Sequence, residues 1–206
     1  MNNCKINSVI QEMKKCVVKI IICKKHFFKS NTEEIQGTGF FFKKNYILTN
    51  YHIIKDAEYI KVGLYSQELW DAHVVGVDIN VDICVLKVLN SADSFLKINS
   101  YQIKEGDVVV TMGMPYGLEF TSSIGIISSL EHSLRLENNS VIDEVIQLDA
   151  NLSPGNSGGP LVNLNNEVIG ITTLSLLEGC NIAFAIKIEF VMDIVNNIIQ
   201  CEENYE

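Results

Sequence analysis

The chain has 206 residues, 47% of them apolar, enough to bury a full core as one domain or as two small lobes sharing an interface. Its 16 Lys and Arg against 25 Asp and Glu give a formal net charge of -9, and Arg135 is the only arginine. A soluble globular protein is expected, and with no basic stripe to follow phosphates, nucleic acid is set aside as a partner class.

In chain order, Ile6, Val9, Ile10 and Met13 recur at i, i+3, i+4 and i+7 and predict an amphipathic helix. The apolar run 17–23 is interrupted by Lys19, closed by Lys24 and Lys25, and followed by no small-residue cleavage site. It is too short to span a bilayer. A buried strand is expected there, in a protein that is cytosolic or a mature form without its leader. Beyond it, segments such as GTGFFFK, YILTNY, YIKVGLY, HVVGVD, ICVLKVL, DVVVTMG, TSSIGIISSL, VIGITTL and IAFAI have strand length and favour β-branched or aromatic residues. Gly, Asn and Asp punctuate them. Many short strands predict an all-β fold, a sandwich or a barrel. The polar stretch 90–106 is the expected seam between two β lobes, about 1–95 and about 100–206. Helical spacing returns at the end, in Val191, Ile194, Val195 and Ile198.

Cys4, Cys16, Cys23, Cys84, Cys180 and Cys201 are scattered without C-x-x-C spacing and are expected as free thiols. Cys16, Cys23 and Cys84 lie in apolar runs and read as small buried hydrophobes, whereas Cys180, next to Gly179, reads as a loop residue.

The stretch LSPGNSGGP, 152–160, holds Ser157 in a G-x-S-x-G pattern that alone fits a plain turn almost as well as a nucleophile. A serine hydroxyl attacks only when a base takes its proton, and that base, usually histidine, needs an orienting group. His26, His52, His73 and His132 all precede Ser157, which excludes the order with histidine last. Asp56 is the first aspartate in the chain, so the order Asp, His, Ser cannot use His52. What is left for His52 is the order His, Asp, Ser of double β-barrel proteases, in agreement with the all-β reading.

His52 lies in ILTNYHII, where an apolar strand runs into a polar turn and presents an imidazole at a cleft rim. His26, His73 and His132 read as surface or core residues. Of two candidate aspartates, Asp82 directly precedes an uninterrupted apolar strand, where a partly buried carboxylate would hold His52 in one tautomer. Asp78 reads as a turn residue closing HVVGVD, and Asp82 is favoured.

The blocks GTGFFFKKNYILTNYHII, VVGVDINVDICVLKV, GDVVVTMGMPYGLEFTSSIGIISSL, VIQLDANLSPGNSGGPLVNLNNEVIGITTL and IAFAIKIEFVMDIV resemble, in order, the trypsin-like protease domain of the HtrA/Deg family over roughly 11–201. The resemblance implies two perpendicular six-stranded antiparallel β-barrels with short terminal helices and an active site between them. It implies a serine endopeptidase with His52, Asp82 and Ser157 as catalytic triad and the amides of Gly155 and Ser157 as oxyanion hole, where backbone N–H groups stabilise the charge developing on the carbonyl oxygen. By position in the family, Asn151, Leu152 and the strand 171–174, with Thr172, Thr173 and Leu174, shape the substrate pocket. That set holds no carboxylate, so cleavage after small or medium aliphatic residues is expected.

Members of that family carry an export signal or membrane anchor and a C-terminal PDZ domain, and this sequence shows neither. A compact intracellular protease acting on a protein or peptide, with no membrane attachment, is the resulting expectation, and either an activating partner protein or a homotrimer packed through Phe27 and Phe28 fits it. An inactive or partner-gated binding module on the same fold is the alternative. H-E-x-x-H, paired C-x-x-C and G-x-x-x-x-G-K-[ST] are all missing, so no metal or other cofactor is expected.

Overall fold

The amphipathic N-terminal stretch forms α1 (Asn3–Cys16), which buries Val9 and Met13 and leaves Lys5 and Gln11 in solvent. Cys16, expected as a small buried hydrophobe, closes this helix as a buried residue. The computed structural model describes residues 3–24, 32–99, 102–136, 138–175 and 182–204. His26, Phe27, Phe28, Gly179 and Cys180 lie outside them.

Six antiparallel strands follow: β1 (Val17–Lys24), β2 (Thr32–Lys43), β3 (Tyr46–Thr49), β4 (Tyr59–Gly63), β5 (Leu69–Asp78) and β6 (Ile83–Val88). They close in the order β1-β2-β3-β6-β5-β4 into a barrel. A short helix, α2 (Tyr51–Ile54), leaves the end of β3. Side chains alternate across a strand, and here both faces are covered. On β6, Cys84, Leu86 and Val88 fill the barrel, while Ile83 and Val85 join a second core shared with α1. This double burial is why ICVLKV lacks the polar alternation of a half-exposed strand.

Lys19 breaks the apolar run of β1 for a physical reason. The residue is 8% exposed, and its ammonium ends in an ion pair with Glu119 on the segment before the next barrel's second strand. The stem is buried and the charge is paired, which is how a lysine is tolerated at such a position.

The second set of strands is β7 (Lys97–Ile98), β8 (Val108–Gly113), β9 (Thr121–Ser129), β10 (Leu134–Arg135), β11 (Val141–Ile142), β12 (Val145–Leu148), β13 (Pro160–Asn163), β14 (Glu167–Ser175) and β15 (Ala183–Lys187). The ring β13-β8-β9-β12-β15-β14 closes through the β13–β14 pairing into a second six-stranded barrel. β7 adds to the edge of β14 in parallel, and β10 and β11 form a separate hairpin. The fold is therefore the all-β double barrel expected. Periodicity did not predict α2 or the 3-10 turn at Pro115–Gly117, because each is a single short turn.

The C-terminal periodicity becomes α3 (Ile188–Glu203), which buries Val191, Val195 and Ile199 in the shared core. Its last turn is tied to the first barrel: Glu202 accepts hydrogen bonds from Tyr46 Oη at 2.8 Å and Lys87 Nζ at 3.0 Å. Burial pushes the Glu202 carboxyl up, but the bonds from Lys87 and Tyr46 outweigh it and hold it below the ordinary glutamate value. A carboxyl lowered by folding stabilises above its unfolded value and loses that contribution as pH falls through the folded one. Glu202→Ala is expected to cost about 2 kcal/mol, the scale of hydrogen bonds to a charged group. For a domain of this size that lowers Tm by roughly 4–8 °C. The deficit, measured by thermal unfolding at a series of pH values, is present at neutral pH and narrows below about pH 4.

Candidate active site

Asp82 occupies the left-handed region, φ 60°, which a short polar side chain tolerates better than most. In that conformation both its carbonyl and its carboxylate serve the first turn of α2. The carbonyl accepts from Asn50 Nδ2 at 2.8 Å and from Tyr51 N at 3.2 Å. Oδ1 accepts from His52 N at 2.8 Å, and Oδ2 lies 2.6 Å from His52 Nδ1 and 3.4 Å from Thr173 Oγ1. An ionised carboxylate only accepts, so Nδ1 carries the hydrogen and Nε2 is left with its lone pair. Asp82 is 6% exposed, whereas the His52 side chain is 41% exposed at the cleft. Asp78 does what a turn residue does, accepting from Asn80 N at 2.9 Å and Val81 N at 3.2 Å.

Ser157 sits in the loop before β13, and the first barrel holds that loop. Thr38 N donates to Ser157 O at 2.9 Å, and Thr38 Oγ1 donates to Gly155 O at 2.7 Å while accepting from Met114 N at 3.2 Å. Pro154 O accepts from Tyr116 N at 2.9 Å, in the 3-10 turn. In a trans peptide the N–H points opposite the C=O, so the Gly155 N–H faces away from that turn. Gly155 has φ +103°, and a Cβ there would lie 2.1 Å from Met114 O, so only glycine fits. The neighbouring amides are engaged: Asn156 N donates to Ser153 O, Gly158 N to Thr172 O and Gly159 N to Asn156 O. Among the described residues, Gly155 N and Ser157 N give their hydrogens to no backbone carbonyl. The Ser157 hydroxyl donates to Thr173 O at 2.9 Å.

A cleft of about 630 Å³ brings His52, Asp82, Ser157, Leu152, Thr172 and Thr173 onto one surface. Asn151 is exposed and is not part of its wall, and the side chain of Leu174 lies outside the described residues. His73 is exposed on β5, and His132 is exposed with its ring edge-on to Phe184, 6.4 Å between centroids. Thr38, Asn50 and Tyr116 were not singled out by sequence reasoning. A polar residue set inside an apolar block is the sequence signal that points to the first two, and both are fully buried, at 0% exposure. Tyr116 acts through its backbone amide and leaves no such signal.

Cys16 and Cys84 are buried, and burial is the main cause that pushes both thiols up to about 12. Neither supplies a thiolate nucleophile near neutral pH. Cys4, Cys23 and Cys201 are likewise free, the first and last of them exposed.

A double barrel with a histidine–aspartate pair and a glycine-flanked serine on one cleft is the architecture of trypsin-like serine peptidases. The family model for the trypsin-like peptidase domain matches residues 37–171, and the chain belongs to that family. Within it, the chain is similar to HtrA and DegP proteins. It is 37% identical over 188 residues to the probable periplasmic serine endoprotease DegP-like of Hahella chejuensis, covering 84% of this chain and 39% of that protein. Against the periplasmic serine endoprotease DegP of Salmonella typhimurium the identity is 39% over 163 residues, 76% of this chain and 34% of the relative. The serine protease Do-like HtrB of Bacillus subtilis is 36% identical over 177 residues, 79% of this chain and 38% of the relative. The chain thus spans little more than a third of the length of these relatives.

The cytosolic expectation is overturned by these names, since the Hahella and Salmonella relatives are periplasmic endoproteases. It rested on the lack of a recognisable leader, which carries no information about the compartment. The idea of a compact intracellular protease falls with it. Among the described residues no helix is long and apolar enough to cross a membrane.

Proposed function

We propose that this chain is a serine endopeptidase domain that cleaves protein or peptide substrates through an acyl-enzyme intermediate. His52 Nε2 takes the proton of Ser157 Oγ as the oxygen attacks the scissile carbonyl, and later returns it to the leaving amine. Asp82 keeps His52 in the required tautomer and stabilises the imidazolium. The amides of Gly155 and Ser157 receive the developing oxyanion. The observation that carries this reading is the His52–Asp82 contact of 2.6 Å on the same cleft as Ser157.

Leu152, Thr172 and Thr173 offer the pocket apolar and small polar surface without a free carboxylate. Small or medium aliphatic residues before the scissile bond suit such a wall, and Asn151 and Leu174 belong to the same reading. Digestion of a proteome-derived peptide library, read by mass spectrometry with Ser157→Ala as blank, is expected to show cuts after Val, Ala, Ile or Leu. Cuts concentrated after Arg or Lys would refute the aliphatic pocket. The periplasmic names of the Hahella and Salmonella relatives support an activity outside the cytoplasm, and an activating partner or a homotrimer belongs to the same proposal through the HtrA/Deg resemblance.

One observation favours a gated site. A hydroxyl has a single hydrogen, and here Ser157 gives it to Thr173 O. That bond has to be released before the proton can pass to His52.

A further inference from the structure

Arg135 is the only arginine in a chain of net charge -9, and it stands exposed on β10 in the wall of the cleft. Lys55, which follows α2 on the first barrel, lines the same cleft. Among the described residues neither cation is paired with a carboxylate. Among the described residues the one carboxylate lining the cleft is Asp82, and both of its oxygens are taken by His52. Among the described residues, the cleft of this acidic protein thus presents two positive charges with no paired carboxylate and no free negative charge.

The backbone that carries Arg135 is held in place. Leu134 and Ile142 anchor the β10–β11 hairpin in the core, and its turn is closed by Leu136 N donating to Ser140 O at 2.9 Å. Asn138 Nδ2 donates to Ile79 O at 2.8 Å, which pins the hairpin tip to the first barrel beside the turn that carries Asp82. A guanidinium carried on such an anchored hairpin offers a planar fork that matches the two oxygens of a carboxylate.

We infer that Arg135, assisted by Lys55, is a specificity-determining residue that selects substrates carrying a carboxylate in the cleft, either an acidic side chain flanking the scissile bond or a peptide C-terminus. This deepens the endopeptidase reading and rests on it for the word substrate. It concerns a subsite separate from the aliphatic pocket at Leu152, Thr172 and Thr173.

The test uses short peptides with a central Val, in which Asp, Asn or Lys is scanned through the flanking positions, each with a free or an amidated C-terminus. Binding to the Ser157→Ala protein is measured by fluorescence anisotropy, and kcat/KM of the same peptides is measured on the wild type. At one flanking position, or with the free C-terminus, the carboxylate peptide is expected to bind about tenfold more tightly than its neutral match, the scale of one charged hydrogen-bonded contact. The ratio falls toward one in Arg135→Gln, is partly kept in Arg135→Lys, and turns toward the Lys peptide in Arg135→Glu. Loss on amidation identifies the terminus as the source, and persistence identifies the side chain. Equal binding of acidic and neutral peptides at every position, or a ratio unchanged in Arg135→Gln, overturns the inference. A carboxylate preference in binding together with no turnover by the wild type upholds it and overturns the endopeptidase reading instead.

Discussion

His52→Ala is expected to lower kcat for peptide cleavage by about six orders of magnitude, and Asp82→Asn by about four. In the proposed mechanism the first variant removes the base that takes the Ser157 proton. The second keeps the size of the side chain but replaces an acceptor oxygen by an amide group. Asp82 Oδ1 and Oδ2 both accept from His52, at 2.8 Å from N and 2.6 Å from Nδ1, and an asparagine can satisfy only one of these with its single oxygen. If the amide nitrogen faces the ring, Nδ1 becomes the acceptor, the hydrogen moves to Nε2, and the base is lost. The backbone bonds from Asn50 Nδ2 and Tyr51 N to Asp82 O survive in the variant, so α2 keeps two of its attachments. An unchanged circular dichroism spectrum with turnover down by four decades is the expected pair of results. Asp82→Asn retaining a tenth or more of wild-type kcat would show that the carboxylate does not orient the base.

Gly155→Ala is the second large effect, and it works through the backbone. The added Cβ would sit 2.1 Å from Met114 O at a φ of +103°, so the peptide has to turn or the loop has to move. Either motion competes with the bonds that hold this stretch, Pro154 O to Tyr116 N and Gly155 O to Thr38 Oγ1. Losing one oxyanion donor costs about two to three decades in kcat. Gly106→Ala is the matched control. Gly106 also has a positive φ, +85°, but nothing lies within 4 Å of the added Cβ. Strain without collision is expected to cost stability of about 1 kcal/mol and to leave kcat where it was. A loss of kcat shared equally by the two variants would mean that general destabilisation, and not the oxyanion loop, is being read.

Much of the double barrel was legible because its strands are short, rich in β-branched and aromatic residues, and separated by Gly, Asn and Asp. For His52 the proposed order His, Asp, Ser follows by elimination, since Asp56 is the first aspartate and no histidine follows Ser157. What stayed hidden depends on contacts between residues far apart in the chain. Lys19 looked like an interruption of a strand because its partner Glu119 is a hundred positions away. Thr38 looked like part of a glycine-rich strand, yet it holds the loop that carries Ser157 across the two barrels. The β10–β11 hairpin has strands of two residues each, too short for any periodicity, and it carries Arg135 into the cleft. The compartment was misjudged for a different reason: a leader is a separable address, and no core or cleft residue encodes it.

The central claim is that His52, Asp82, Ser157 and the 155–157 amides form a working acyl-transfer site. Its most direct measurement is labelling of the purified protein with a fluorophosphonate probe, which reacts only with a serine that has both an active base and an oxyanion hole. The account predicts labelling of the wild type at Ser157, located by peptide mapping, and none in Ser157→Ala or His52→Ala. A wild-type protein that stays unlabelled while folded, or that is labelled equally in Ser157→Ala, would contradict it.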